Sequence, residues 1–514
     1  MISVRFFYKN YIIMKRIVSF LVFIAIISSV QGQTMQDAYR YSTSELSGTA
    51  RFIGMSGAFG ALGGDISAMT SNPASSAVFL SSSATASLSY RGLDNSILYN
   101  GGRSNSSESN IDLDNIGGVF VFTTNKDSDW KKISLGLNYS TERNFDENYT
   151  VRGTSSNSID QYFLNYADGV PLELLQLQDS ENISDLYSFL GENYGFGTQQ
   201  AFLGYQGFVI EAEADSPENT EYFSLIDDGS FDQRYAYAAT GLNGKLTFNI
   251  GTQYKDFLYL GLNLNSHFIN YENSTELSEF NNNPESLTTE VYFGNSLLTN
   301  GDGFSFQLGG IAKLNENIRL GLSYDSPTWF SIREETTQYL ESNSPADEFV
   351  SVIPNIINVY PEYRLEIPSK ISASAAYLFG KQGLISFDYG RKDYSNIKFK
   401  PENEIDFQNL NANISDNMKA ASTYRVGGEY RIADFSLRAG YRFEESPFKD
   451  ENRVGDLTGY SGGVGYSFGS INLDLAYSNA SYEEGNPIYN VGLTDPVNID
   501  RDLSKVVLSL TFGL

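Results

Sequence analysis

The feature that most restricts this chain is a succession of segments, each about ten residues long, in which apolar and polar side chains alternate from Ser83 to the C-terminus. The clearest pair is joined by Ala433-Asp434. Before the joint, Tyr424, Val426, Gly428, Tyr430 and Ile432 alternate with Thr423, Arg425, Gly427, Glu429 and Arg431. After it, Phe435, Leu437, Ala439, Tyr441 and Phe443 alternate with Ser436, Arg438, Gly440, Arg442 and Glu444. A period of two puts every second side chain on one face of a strand. One face of this hairpin is therefore apolar and the other charged. A cationic side chain facing lipid costs about 2–4 kcal/mol at the bilayer midplane, so the charges must look onto a polar lumen, a plug or water. Alternation alone fits a soluble sandwich equally well, with the two faces exchanged.

Three other features choose between these arrangements. The same alternation recurs in Ala84, Ala86, Leu88 and Tyr90, in Ile133, Leu135, Leu137 and Tyr139, in Leu258, Leu260, Leu262 and Leu264, and in Ile318, Leu320, Leu322 and Tyr324. Connections between the segments switch between short and long. Short ones are expected near 124–130, 251–256, 314–317, 380–383, 433–434 and 469–470, and long ones near 92–115, 144–232, 271–302, 331–366, 395–418, 445–456 and 483–502. Short turns on one side and long loops on the other are the outer-membrane pattern, and these connections join about fourteen strands. The last strand places Val506, Leu508, Leu510, Phe512 and Leu514 on one face, the kind of amphipathic end with which such barrels close. At the other end, Met14-Lys15-Arg16, an apolar core from Ile17 to Ile27, and Val30-Gln31-Gly32 read as a secretory signal peptide, 1–32, with 1–13 an upstream extension. Its eleven core residues are too few for a helical span of about 20. The expected fold is all-β: a transmembrane antiparallel β-barrel over 83–514, in a bacterial outer membrane. Tyr90, Tyr139, Tyr324, Tyr377, Tyr430, Tyr441, Tyr460 and Tyr477 are candidates for its interfacial girdle.

Composition removes several classes. The formal charge of −27 excludes a nucleic-acid binder, which needs a basic surface. With no Cys there is no disulfide, no Cys-based zinc site and no lipid-modified N-terminal Cys. No cofactor and no metal site is expected. The glycines at 54–64 lack the Gly-Lys-Ser/Thr of a phosphate loop. The acids of Asp112-Leu113-Asp114-Asn115 and of 179–185 do not fit a calcium loop and read as solvated. His267 is the sole imidazole and has no Gly-x-Ser-x-Gly companion.

Between the signal peptide and the first strand lies 33–82, whose centre is neither strand nor long helix. Gly54, Gly57, Gly60, Gly63 and Gly64 interrupt it, and each interior Gly costs about 1 kcal/mol in a helix. Asp65 is a plausible N-cap for one short turn, which Pro73 ends by forcing Asn72 to be extended. The sequence Gly64-Asp65-Ile66-Ser67-Ala68, followed by Asn72-Pro73-Ala74, resembles the N-terminal hatch of the outer-membrane long-chain fatty acid transporter family (OmpP1/FadL/TodX). That resemblance implies a hatch over 33–82 plugging the lumen, with Asn72, Pro73 and Ala74 anchoring it at the periplasmic side. It implies passive transport of a hydrophobic, fatty acid-like molecule: binding in a pocket of barrel and hatch, hatch rearrangement, then lateral release into the bilayer. Candidate pocket residues are Phe52, Ile53, Met55, Phe59, Leu62 and Met69, for which packing of the plug is the simpler role. Expected partners are outer-membrane lipid, lipopolysaccharide and the barrel assembly machinery around a monomer.

Two features stay open at this level. The 144–232 connection has helix-like stretches at 160–167, 172–177, 183–191 and 199–205, and is too apolar for a solvated loop, so it is either a ligand landing site or a cap over the mouth. Arg425, Glu429, Arg431, Arg438 and Arg442 form an inward charge ladder, read as ion pairing with Glu429, Glu444 and other lumen acids in preference to a ligand contact. Two rivals are a related barrel that holds protein cargo in type IX secretion, and an outer-membrane enzyme built on His267.

Overall fold

The computed structural model describes residues 33–514 apart from 125–126, 344 and 346–347. The expected signal peptide, 1–32, lies outside the described residues. Fourteen antiparallel strands close into a barrel. They are β1 Ser83–Tyr99, β2 Gly102–Thr123, β3 Trp130–Asn144 continued by Glu147–Ser155, β4 Phe231–Tyr254, β5 Leu258–Asn281, β6 Glu290–Lys313, and β7 Ile318–Asp325 continued by Thr328–Asn343. Then come β8 Tyr363–Ile367 continued by Lys370–Leu378, β9 Gly383–Asp393, β10 Ala420–Ile432, β11 Phe435–Glu444, β12 Leu457–Ser467, β13 Ile471–Pro487 and β14 Pro496–Gly513. Closure is made by β1 against β14, in register from Ser83↔Gly513 to Leu98↔Asn498.

The wall turns its apolar face outward. Leu508 is 49% exposed, whereas Ser509 beside it is 1% exposed. The same holds for Leu473, Leu475 and Tyr477 on β13 and for Val426, Tyr430 and Ile432 on β10, all exposed, while Glu429 and Arg438 are buried. Seven of the eight expected girdle tyrosines are exposed; Tyr139 is half-buried. A soluble sandwich would have the reverse arrangement. Among the described residues no helix is long and apolar enough to cross a membrane, and the outward apolar belt supplies the crossing surface.

Several expected loops are strand. β4, β5 and β6 each run for 24 residues, roughly 80 Å, far beyond the ~25 Å apolar band of such barrels. On β5 the outward positions change from Leu258–Leu264 and Phe268 to Asn270, Glu272, Ser274 and Glu276, so the belt ends near Phe268. Beyond it the outward face is polar, while inward Ile269, Tyr271 and Leu277 stay buried under the plug helix and the cap, and the ladders remain paired. The expected 92–115 loop is a hairpin turned by Asn100-Gly101, both at positive φ (42° and 82°), the backbone that a two-residue hairpin turn requires.

Residues 33–82 fill the lumen. Helix α1, Met35–Ser42, begins at a Thr34–Asp37 capping box. Short helices α2, Ala50–Ile53, and α3, Ala68–Ser71, precede a 3₁₀ turn, Pro73–Val78. Asp65 does not cap α3 as expected; Ser67 occupies that position. Asp65 instead accepts hydrogen bonds from Ser67 N at 2.9 Å and Thr49 Oγ1 at 2.8 Å, which ties α2 to the approach to α3. The segment fits because the inward wall positions nearest it are glycines. A Cβ on Gly309 would lie 2.7 Å from Pro73 Cδ and overlap Asn72 Oδ1, and one on Gly261 would overlap Pro73 itself. Gly427 and Gly440 likewise abut the backbone at Met55.

Gly309 and its neighbour Gly310 therefore separate plug fit from strand propensity. Gly309→Leu is expected to destabilise the barrel by about 1–3 kcal/mol through overpacking. Gly310→Leu, whose Cβ meets Leu260 at an ordinary 3.7 Å, should leave stability within the scatter. Urea unfolding of both variants in micelles, followed by Trp fluorescence, checks this.

Candidate functional site

The plug is held at the short-turn end of the barrel by Asn72-Pro73-Ala74. Asn72 is extended (φ −151°) before Pro73, as the sequence requires, and its Oδ1 accepts from Ala74 N at 3.1 Å. Its Nδ2 donates to Gly60 O at 2.8 Å within the plug and to Gly310 O at 3.2 Å in the wall. Asn249 Nδ2 on β4 donates to Pro73 O at 2.9 Å. One side chain thus closes the plug's own loop and bonds it to β6, while Pro73 is bonded to β4. A hydrophobic side chain could satisfy none of these buried backbone groups.

The six apolar candidates, Phe52, Ile53, Met55, Phe59, Leu62 and Met69, are all buried. Phe52, Ile53, Met55, Phe59 and Leu62 pack into one cluster with Ala376, Ala476 and Val507 of the wall, and Met69 packs with Ile66 and Val119. Phe52 also lines a lumen cavity of about 230 Å³ above the plug.

The charge ladder is gathered around two carboxylates, Glu429 and Glu444. Glu429 accepts from Arg438 Nε at 2.7 Å, from Arg431 Nη2 at 2.6 Å and from Arg51 Nε of the plug at 2.9 Å. Arg438 also bonds Asp474 at 2.6 Å, and Arg425 and Arg442 share Glu444 at 3.5 and 3.4 Å. Arg51 and Asp474 are the members that sequence reasoning missed. Arg51 lies in the plug and meets Glu429 only after the chain closes.

Above the plug, α1 divides the lumen. Besides the cavity already described, a second of about 120 Å³ is lined by Tyr39, Phe145, Tyr237, Tyr271, Tyr394 and Leu93, among others. The two share Thr43, Ser44 and Glu45 in their linings. Arg143 beside the second cavity has no carboxylate within 4.0 Å among the described residues; it donates to Thr43 Oγ1 at 2.7 Å and lies 5.6 Å from the Phe145 ring centre. His267 Nε2 contacts Ser305 Oγ at 2.8 Å, but the neighbouring carboxylate, Glu142, is paired with Lys245 at 2.9 Å.

Pairing between neighbouring strands lapses at several places in the described wall: β2–β3 pairing stops at Asn115↔Ser140, β3–β4 pairing pauses between Asn144↔Leu242 and Glu147↔Ala239, and a further lapse lies between β7 and β8 beside the larger cavity. The β7–β8 ladder runs from Ile318↔Tyr377 to Asp325↔Lys370 and resumes at Thr328↔Ile367. Ser326-Pro327 and Pro368-Ser369 stand unpaired between them. Proline lacks the N–H that a ladder needs, which explains a break on both strands. The notch lies at the level of the outward-facing Tyr324, Trp329 and Ile371, and Ser326, Thr328, Pro368 and Lys370 line the larger cavity.

Over the opposite end lies a helical cap: α4 Asp160–Ala167, α5 Ile183–Tyr194 and α6 Phe196–Gln206. Phe163, Leu175, Leu186, Leu190, Phe202 and Leu203 are buried in a core shared with Phe231, Leu277, Phe293 and Leu340 of the extended wall. Of the apolar residues that marked this segment, Leu177 and Phe189 remain exposed. Glu279, beyond the belt on β5, accepts from Ser158 Oγ at 2.5 Å, Ile159 N at 3.0 Å and Gln233 Nε2 at 2.7 Å, and so pins the start of α4. Burial, aided by nearby Asp160 and opposed by these donors, pushes its carboxyl up to about 7.

A family model described as outer membrane protein transport protein (OMPP1/FadL/TodX) matches residues 242–510. No curated protein matches the sequence. Among solved structures, a Pseudomonas aeruginosa FadL homologue superposes with a TM-score of 0.55 at 13% identity, covering 92% of this chain and 99% of its own. The P. putida toluene transporter TodX superposes with a TM-score of 0.51 at 13% identity, covering 91% and 99%. At that identity the likeness is one of fold.

Two outcomes follow from these contacts. Glu429→Gln leaves three guanidiniums around a neutral group and is expected to cost about 3–5 kcal/mol, measured by urea unfolding. Glu279 holds its proton more tightly in the docked cap than a free carboxyl would. Cap docking is therefore strongest below the usual carboxylate range and weakens as pH rises toward about 7, by roughly 3 kcal/mol in all. Hydrogen exchange at 158–206 should speed up over that window, and Glu279→Gln should flatten the dependence.

Proposed function

The chain belongs to the OMPP1/FadL/TodX family of outer-membrane transport proteins, and from that premise we propose that it carries long-chain, fatty acid-like hydrophobic molecules into the outer membrane and releases them sideways. The observation that carries this reading is the notch at Ser326-Pro327 and Pro368-Ser369, which lies between a lumen cavity and the apolar belt. The plug fills the lumen below, so a solute that reaches the cavity has its shortest exit through the wall. An oily solute gains by that exit, since about 25 cal/mol is recovered for every Å² of apolar surface kept from water. The cavity beside α1, whose lining mixes Phe145, Tyr237 and Tyr271 with Arg91, Arg143 and Glu147, supplies aromatic contact on the way. Ligand shifts α1 and the plug only by binding one arrangement better than another, so transport runs down a gradient without an energy source.

The cap's own packed core supports its role as a cover for the mouth rather than as an open greasy surface. Rearrangement of α1, whose Met35, Ala38 and Tyr41 fill the apolar cluster above the plug, opens the route between the cavities in this scheme.

The native chain has no Cys, so a crosslink can be placed without background. In a Ser326→Cys/Ser369→Cys variant bridged by a short bismaleimide, uptake of radiolabelled oleate and of toluene should fall at least tenfold, with either single-Cys variant unaffected. Undiminished uptake in the bridged protein rules out this exit. Intact secretion beside lost uptake in a deletion strain would separate transport from a role in protein export.

A further inference from the structure

The helical cap is charged with one sign only. Residues 153–233 hold fifteen Asp and Glu and no Lys, Arg or His, so this segment carries −15 of the chain's −27. Of these acids only Asp160 is buried; the rest reach the surface. The nearest bases in the chain, Arg152 and Arg234, flank the segment and face each other across the β3–β4 ladder. An all-acidic face gathers cations from solution within a Debye length, about 8 Å at physiological salt.

Set in this face is an open cup of about 710 Å³, between the 176–179 turn and the end of α6. Its apolar part is Leu177, Tyr205 and Phe208, its acids are Asp179 and Glu211, and no Lys, Arg or His lines it. Asp179 has neither a hydrogen bond nor an ion pair among the described residues. Glu211 uses one oxygen, which accepts from Ala212 N at 3.0 Å. Gln206 donates through Nε2 to Leu175 O at 2.7 Å and keeps its carbonyl oxygen free. Burial, opposed by a hydrogen bond with Gln176 and aided by Glu211 and Asp215, pushes the Tyr205 phenol up, so two carboxylates stand near that ring. The C-terminus of α6 adds the negative end of its dipole.

Phe208 is held at the cup against its own backbone preference. Its φ is +52°, the left-handed conformation that a helix C-terminus usually gives to glycine. Val209 N donates to Gly204 O at 3.0 Å and Phe208 N to Tyr205 O at 3.2 Å, which closes the helix. The wall fixes the same turn: Ser342 on β7 donates to Gly207 O, and Thr288, just before β6, donates to Phe208 O. Glycine would meet this demand with less strain, and a ring at the cup is what phenylalanine adds.

Carboxylates, an amide carbonyl and ring faces all attract positive charge. They repel a carboxylate or a phosphate, so the cup is no landing site for a fatty acid. A metal ion needs several oxygens converging on one point, and among the described residues no group of three or more Asp, Glu or His could hold one. A neutral polyol gains nothing from the field. An ammonium or guanidinium on an apolar body uses every part: its charge meets Asp179, Glu211 and the faces of Tyr205 and Phe208, and its body meets Leu177.

We propose that this cup on the outer face of the cap binds a small organic cation, an ammonium or guanidinium carried on an aromatic or alkyl body. The site is independent of the transport reading, because it shares no lining residue with either lumen cavity.

Isothermal titration calorimetry of the full chain in dodecyl maltoside tests it, with 2-phenylethylammonium, phenylacetate and 2-phenylethanol as probes. The amine should bind saturably and at least tenfold more tightly than either isostere, and added salt should weaken it. Asp179→Asn/Glu211→Gln keeps the shape of the cup and removes its charge. Phe208→Gly removes the ring and suits the backbone. Each variant should weaken amine binding about tenfold while hydrogen exchange at 183–206 stays unchanged. Where Phe208→Gly loosens the cap, the double variant decides. Equal binding of phenylacetate or of 2-phenylethanol overturns the site, as does amine binding unchanged in the double variant, which would put the amine in the lumen. Equal displacement by Mg²⁺ at matched ionic strength overturns the organic ligand. Oleate and toluene uptake retained in the double variant while amine binding is lost supports the site, and wild-type amine binding without any uptake sinks the transport reading alone.

Discussion

The structure depends on how closely the plug's backbone can approach the wall. Gly261, Gly309, Gly427 and Gly440 each stand where a Cβ would strike the plug, so the two surfaces meet main chain to main chain. That approach puts Asn72 within bonding distance of β6 and Arg51 within reach of Glu429. A wall with ordinary side chains at these places would hold the plug off by several ångströms and leave both contacts unmade. The barrel would then be a wide polar pore, which gives no favourable contact to an oily solute.

Charge follows from the same geometry. A belt that faces lipid sends its polar positions inward, and a narrow lumen cannot hold a row of bare arginines. Glu429, Glu444 and Asp474 neutralise that row, with the plug's own Arg51 joined to it. Lys370 and Lys392 border the larger cavity, and Lys370 stands across the ladder from Asp325 at the edge of the break in the wall. The same two prolines that break the ladder also bring polar lumen and apolar belt together at one level, where an amphiphile can contact both.

Much of this was legible in advance for a physical reason. Alternation reports which face a residue takes, so the inward arginines and the outward Leu508 and Tyr430 follow from spacing. Helix-forming stretches in 144–232 were legible because their apolar residues recur at helical spacing. The long hairpins were not. Once a strand leaves the membrane its outward face turns polar, and the inward Tyr271, Leu277 and Phe293 that still alternate there read as scattered apolar residues of a loop. Only the Asn100-Gly101 turn marked one of them. Asp65 illustrates a different limit: a carboxylate before a helix reads as a cap, but here Thr49 and Ser67 compete for its oxygens.

By itself the sequence determined the architecture: a closed barrel with an apolar exterior, a glycine-rich plug ended by Asn72-Pro73, and a folded segment over one mouth. These depend on periodicity, on φ restriction at proline and on the backbone freedom of glycine, all of which act within a few residues. Tertiary structure alone decided which distant groups meet. Arg51 finds Glu429, Asp388 and Arg425 face each other without pairing, and two prolines far apart in the chain line up as one notch. No local rule sets those pairings, because they arise only when the first strand closes on the last and fixes the register of the whole wall.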